Sequence, residues 1–180
     1  MGEIKSTLEL AMERTKKMAI SEEEKEKIKR KEVLDKATGF FHRYREGHLP
    51  LNGILKEIER MEEKKGTMVK EILLFQWIDA LSLNGEDERL LKGVESLKSR
   101  NIDEVKRKLH PLLSQYRIEK EEAQHRVKVQ LAKALRKAGI DGSAVEPNIE
   151  VSELWKKELA KLDHLYGIKM EEIKEQLRAL

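Results

Sequence analysis

The sequence predicts an all-α protein: a bundle of about six or seven helices that ends in a long antiparallel helical hairpin. Charged and apolar residues each make up 39% of the 180 residues, with only ten glycines and three prolines, a composition typical of long helices. Apolar residues recur at alternating spacings of three and four along most of the chain. No segment shows the alternation of period two that indicates a strand.

Three helices are predicted in the first third of the chain. Apolar positions spaced by four and three indicate the first over residues 4–18. The second begins at Ser21, because its hydroxyl and the Glu24 carboxylate have the spacing of a capping box, and it runs to about Glu46. A third, shorter helix follows and is expected to stop near Gly66.

A central helix is predicted over residues 68–83, capped by Thr67. Eleven of its 16 residues are apolar, and they surround most of the helix. A helix that is apolar on nearly all sides is typical of the middle of a core. After a break at Asn84, a fifth helix is expected to end near Asn101.

Two long helices close the chain, at about residues 112–138 and 152–179. An apolar stripe passes straight through Pro111, where we expect a kink or a break with the proline opening a new helix. The two helices are expected to pair as an antiparallel, coiled-coil-like hairpin of roughly 40 Å. The predicted domains are a bundle at 1–110 and a hairpin at 111–180, which either pack together or form one continuous domain.

No catalytic residue, metal site or cofactor is predicted, so the sequence points away from an enzyme. The chain has no cysteine, which excludes disulfides and thiolate chemistry. Glu122 and His125 have the spacing of a carboxylate and imidazole on one helix face, but a di-iron bundle needs a second such pair. A bundle that binds a metal or a small molecule between its helices stays open as a third hypothesis.

Residues 123–138 form a basic amphipathic helix that carries five positive charges and no acid. Such a surface can lie on RNA, an acidic protein surface or anionic lipid. Nine acids against six bases in residues 141–180 can instead balance it within the hairpin. The net charge of only +3 argues against an obligate polyanion binder. The anion-binding candidates are Arg126, Lys133, Arg136 and Lys137.

The linker at residues 139–151 is longer and more apolar than most connections between bundle helices. Two interpretations stay open: a loop tucked over the end of the hairpin, or a site that a partner or ligand approaches closely beside its small residues. The candidate residues for that site are Gly142, Ser143, Ala144, Val145, Pro147 and Asn148.

A cytoplasmic protein without a membrane partner is predicted. The first residues lack the uninterrupted apolar stretch of a secretory signal. The richest apolar stretch, at 68–83, is interrupted by charges and is too short to span a bilayer.

Two stretches, EIKSTLELAMERT at 3–15 and ALRKAGIDGSAVEPN at 134–148, resemble uncharacterised all-helical bacterial proteins classed as a domain of unknown function. The resemblance implies a bacterial cytoplasmic protein with the same fold, and it supplies no catalytic residue.

The leading functional hypothesis is a non-enzymatic helical interaction or scaffold protein. Its partner would be a second copy of itself or another helical protein, because exposed apolar seams pair with similar seams. The alternative is an RNA-associated or ribosome-associated factor that uses the basic helix at 123–138.

Overall fold

The computed structural model describes residues 21–85, 88–140, 142 and 146–180, and within them every regular element is a helix. The predicted all-α fold is confirmed. The predicted helix at 4–18 lies outside the described residues. The helices are α1 (Glu22–Arg45), α2 (Leu51–Glu59), α3 (Glu63–Asp79), α4 (Glu88–Lys98), α5 (Asp103–Lys137) and α6 (Glu153–Ala179).

The chain divides into two compact units, one that extends to Leu73 and one that begins at Leu74, so that α3 contributes residues to both. The domain boundary predicted near residue 110 stays a prediction.

In the first unit, α1 begins and buries its side chains as predicted. The Ser21 hydroxyl accepts a hydrogen bond from the Glu24 amide at 3.1 Å, and the Glu24 carboxylate accepts one from the Ser21 amide at 2.9 Å. This reciprocal cap satisfies two amides that the helix itself cannot. The first turns are exposed, and the buried residues come later at spacings of four and three: Val33, Ala37, Phe40 and Tyr44.

The helix stop predicted near Gly66 and the cap predicted at Thr67 are both wrong. Helix α2 ends at Glu59 and α3 begins at Glu63, so Gly66 and Thr67 lie in the first turns of α3. The Thr67 hydroxyl donates to the Glu63 carbonyl at 2.9 Å, within the helix. A Cβ on Gly66 would lie 3.0 Å from the Ile58 carbonyl oxygen. The glycine therefore allows α3 to approach the backbone of α2 closely at this point, and it does not end a helix.

In the second unit, the end of α3 supplies the core, as predicted. Trp77 is fully buried, and its ring lies directly against Gly93 of α4. The exception on this helix is Phe75, which is 54% exposed and carries the Arg178 guanidinium 5.0 Å from its ring centre. The helix also ends earlier than predicted, at Asp79.

The break predicted at Pro111 does not occur, because α5 is one helix of 35 residues that contains this proline. Pro111 lies on the exposed side, whereas Leu109 and Tyr116 are buried before and after it. A proline removes one backbone hydrogen bond. The apolar stripe is buried both before and after the proline, and this packing keeps the helix continuous.

Helices α5 and α6 form the predicted antiparallel hairpin. Tyr116 of α5 donates to the Asp163 carboxylate at 2.6 Å, and Tyr166 of α6 hydrogen-bonds to Glu119. The two tyrosine rings meet edge to face with centres 5.4 Å apart. Towards the linker, the helices join along a seam of buried and half-buried residues: Ala123, Val127, Leu131, Trp155, Leu159 and Leu162.

Cationic side chains bind the carbonyl ends of neighbouring helices in the second unit. The buried Lys174 ammonium of α6 donates to the Asp79 carbonyl at 3.1 Å, and Arg178 pairs with the Asp79 carboxylate. Lys98 of α4 donates to the Arg178 carbonyl at 3.2 Å. These contacts satisfy carbonyls that a helix end leaves open and complement its negative dipole end.

Candidate functional site

The four anion-binding candidates all lie exposed on the last third of α5. Arg126 forms an ion pair with Glu122 of the same helix at 3.7 Å. Lys133 and Lys137 form no ion pair with another described residue. Arg136, unlike these two lysines, does make a hydrogen bond or an electrostatic interaction.

The two acids nearest the start of α6 pair with lysines of their own helix. Glu153 pairs with Lys156 at 2.8 Å, and Glu158 pairs with Lys161 at 2.7 Å. Residues 126–161 contain eight basic and five acidic residues, which leaves 29 of each in the rest of the chain. The linker end of the hairpin therefore carries an excess of three basic residues.

The linker candidates are only partly placed. Ser143, Ala144 and Val145 lie outside the described residues. Gly142 is exposed, and the Asn148 side chain accepts a hydrogen bond from the Glu150 amide at 3.2 Å.

The linker segment that leads into α6 is held against the hairpin. Pro147 is half-buried, and Ile149 packs against the seam that contains Trp155. Glu146 also pairs with Lys128 of α5 at 3.5 Å.

Glu122 and His125, the pair with metal-ligand spacing, both lie exposed on α5. In the described part of the chain, no three histidine or carboxylate side chains come together in a way that could hold a metal ion. Nor does any helix there combine the length and the apolar character needed to cross a bilayer.

Towards the linker, one side of the hairpin carries a row of side chains on each helix, and every member directly precedes a seam residue or Tyr166. We call this surface the front face. Residues that precede the seam are turned about 100° from it, and because the helices are antiparallel, both rows lie on the same side. The front face consists of Glu122, Arg126 and Gln130 on α5 and of Leu154, Glu158, Lys161 and Leu165 on α6.

Electrostatics support this placement of the two rows. A hydrogen bond from Lys161 lowers the pKa of Glu158, and the charge of Arg126 on the other helix adds to the shift. Arg126 therefore lies near enough to Glu158 for its charge to act across the seam.

Two leucines stand among these charges. Leu154 is 38% exposed and Leu165 is 49% exposed. Sequence reasoning missed both, although their positions just before Trp155 and Tyr166 in the apolar stripe were the available signal. It also missed a shallow groove of about 820 Å³ along α6, beside Gly167 and Ile168.

Comparison with known proteins gives a family. Residues 55–179 match the model of a family of unknown function, DUF6657. No curated protein and no solved structure matches the chain. The match extends from α2 to the end of α6 and covers more than half of the chain, which confirms the resemblance to an uncharacterised domain. The chain belongs to the family of unknown function DUF6657.

Proposed function

We propose that this protein is a non-enzymatic, cytoplasmic interaction module that associates with a second copy of itself through the hairpin of α5 and α6. The observation that carries the proposal is the pair of half-exposed leucines, Leu154 and Leu165, on the front face.

The two leucines lie about 16 Å apart along α6, because each residue advances a helix by 1.5 Å. Covering them removes apolar surface from water, which stabilises an assembly by about 25 cal/mol per Å². Ion pairs line the same surface, and such charges select a partner and its register more than they add affinity. A small apolar contact within a charged surface favours a weak association that depends on protein concentration.

Sedimentation velocity tests the proposal directly. We expect the average mass of the wild-type protein to rise from monomer towards dimer between about 5 and about 500 μM. The double variant Leu154→Gln with Leu165→Gln should stay monomeric over this range, since glutamine keeps a good helix propensity and removes the apolar contact.

Leu34→Gln is the matched control, because Leu34 is also a leucine, is 48% exposed and lies on α1 instead of the hairpin. This variant should associate like the wild-type protein. A wild-type protein that is monomeric throughout would contradict self-association. Loss of association in Leu34→Gln alone would move the contact to α1.

A second candidate function is binding of RNA at the linker end of the hairpin, favoured by the excess of three basic residues at 126–161. Affinity for a single-stranded RNA should fall steeply as salt rises, because bound cations are released from the phosphates. Lys133→Gln with Lys137→Gln should weaken this binding. Lys27→Gln with Lys31→Gln on the exposed start of α1 removes equal charge and should not.

A further inference from the structure

We propose that the first unit binds a small phosphate monoester with an apolar body, in a cavity between α1 and α2. This site goes beyond the proposed self-association, which concerns the hairpin. The cavity has a volume of about 530 Å³, within the range of about 300–1,000 Å³ that is typical of small-molecule sites. The described residues that line it are Lys36, Gly39, Phe40, Arg43, Leu49 and Glu57.

Two walls enclose this cavity. The four lining residues on α1 recur at spacings of three and four, so they share one face of that helix. The opposite wall consists of Leu49, in the connection after α1, and Glu57 on α2. The Leu49 amide donates a hydrogen bond to the Arg43 carbonyl at 3.0 Å. This bond folds the connection back onto the end of α1 and holds Leu49 beside the cavity.

Two cations of the cavity have no acidic partner. Among the described residues, neither Lys36 nor Arg43 forms an ion pair. Glu57, the acid of the cavity, pairs with Arg60 at 3.2 Å instead. A phosphate monoester carries a charge of about −1.5 to −2 at pH 7, so it matches two cations better than a carboxylate does. A guanidinium binds two phosphate oxygens at once, and an ammonium adds a point charge on a flexible stem.

Apolar side chains line the same cavity. Phe40 is only 5% exposed, and the Lys36 ammonium lies 5.8 Å from the centre of its ring. Leu49 is half-buried and packs on the first turn of α2, where a Cβ on Gly53 would lie 3.1 Å from its Cδ1. Small-molecule sites combine such apolar walls with a few placed polar groups. Phe40 and Leu49 can therefore cover the body of a ligand whose phosphate meets the cations.

Gly39 keeps the space beside α1 open. It lies inside the helix with a helical backbone, where glycine is less favourable than alanine. A Cβ at this position would meet nothing within 4 Å, so packing does not require glycine. A residue without a side chain does let a bound molecule approach the backbone closely. A binding site thus explains a glycine that neither packing nor backbone conformation requires.

Titration of the full chain with phenyl phosphate, followed by heteronuclear NMR, tests the proposal. Between about 0.1 and about 10 mM probe, the amide signals of Gly39 and Leu49 should shift and saturate. Inorganic phosphate and phenol each carry only one part of the probe, and phenylacetate carries a single negative charge. Each of these three should bind at least about tenfold more weakly. The absence of a saturable shift overturns the site, and phenylacetate that binds as tightly as phenyl phosphate overturns the assignment to a phosphate.

Removal of the two cations tests their role. Lys36→Gln with Arg43→Gln should weaken the binding of phenyl phosphate by about tenfold or more, because hydrogen bonds between ionised groups are strong. Lys27→Gln with Lys31→Gln is the matched control, since it removes the same charge from exposed positions of α1 outside the cavity. The control should bind like the wild-type protein. Equal weakening in both variants would mean that the probe responds to the charge of the helix and not to a site.

Filling the cavity tests its position. Gly39→Leu should abolish binding, because the new side chain occupies the open space, and its Tm should be no lower than that of the wild-type protein, because leucine is the better helix former. Gly39→Ala should weaken binding by a smaller factor. Gly167→Leu makes the same change inside α6, where a Cβ also meets nothing within 4 Å, and should leave binding unchanged. Undiminished binding by folded Gly39→Leu, or loss of binding in Gly167→Leu alone, would overturn the site between α1 and α2.

Discussion

Replacing Gly93 with alanine should destabilise the second unit, although alanine is the better helix former. A Cβ at this position would lie 2.4 Å from Cζ3 of Trp77, 2.6 Å from Cε3 and 2.9 Å from Cη2. Carbon atoms in contact prefer 3.5–4.0 Å. The ring is fully buried and rigid, so it cannot move away into solvent.

Two effects of opposite sign determine the size of the change. Alanine in place of glycine inside a helix stabilises it by about 1 kcal/mol. Overpacking of a filled core costs about 1–3 kcal/mol, and overlap with three ring atoms places this site at the upper end. We expect a net loss of about 2 kcal/mol in the free energy of unfolding. For a chain of this length, that corresponds to a fall of roughly 4–8 °C in Tm.

Gly167→Ala provides the matched control in the same unit. Gly167 also lies inside a helix, but a Cβ there meets nothing within 4 Å. This change should stabilise the protein by about 0.5–1 kcal/mol. Urea and thermal unfolding followed by circular dichroism measure both variants. If Gly93→Ala stabilised the protein as much as Gly167→Ala, the contact with Trp77 could not be as close as the structure has it.

A second substitution identifies the source of the strain. Trp77→Phe removes the ring atoms that the new Cβ would overlap. Gly93→Ala should therefore cost less in the Trp77→Phe background than in the wild-type protein. Equal costs in both backgrounds would mean that the two sites do not interact.

Three further predictions concern the hairpin and the helix ends. Burial, together with the carboxylates Asp163 and Glu119, raises the pKa of Tyr116 and of Tyr166 to about 12. The two tyrosines stabilise the fold fully below about pH 10, the pKa of tyrosine in the unfolded chain, and this stabilisation should be lost as the pH rises from 10 towards 12. Measured by unfolding at each pH, the variant with both tyrosines replaced by phenylalanine should not show this loss. Ser21→Ala removes the cap of α1 and should cost about 1 kcal/mol, seen as faster hydrogen exchange in its first turn. Lys174→Met leaves the Asp79 carbonyl without its ammonium partner and should lower the free energy of unfolding by about 1–3 kcal/mol.

Each of these three has an outcome that would contradict it. An unchanged unfolding free energy between pH 9 and pH 12 would mean that the tyrosines are not buried in the hairpin. Equal exchange rates in Ser21→Ala and the wild-type protein would show that the capping box adds nothing to α1. A Lys174→Met variant as stable as the wild-type protein would show that the Asp79 carbonyl finds another donor.

Features that depend on neighbours along the chain could be predicted. The Ser21 cap follows from a local spacing of three residues. The buried stripe that contains Trp155 and Tyr166 follows from a period of 3.6 residues, which places positions three and four apart on one face of a helix. The same spacing predicted α4 and the paired long helices.

Local signals failed where distant contacts outweighed them. Gly66 resembles a helix end, yet the carbonyl of Ile58 on α2 requires a residue without a side chain at that point. Pro111 resembles a helix break, yet burial of Leu109 and Tyr116 on either side keeps α5 continuous. In both cases the competing interaction is made with another helix, α2 for Gly66 and α6 for Tyr116 near Pro111.

One part of the front face follows from the sequence, and the other part depends on the tertiary structure. The spacing along α6 already places Leu154 and Leu165 in one row, and the spacing along α5 does the same for Glu122 and Arg126. Antiparallel packing is what brings the two rows to one side of the hairpin. Helical periodicity orients each side chain about its own axis, whereas the register between two helices depends on contacts such as Tyr116 with Asp163, 47 residues apart.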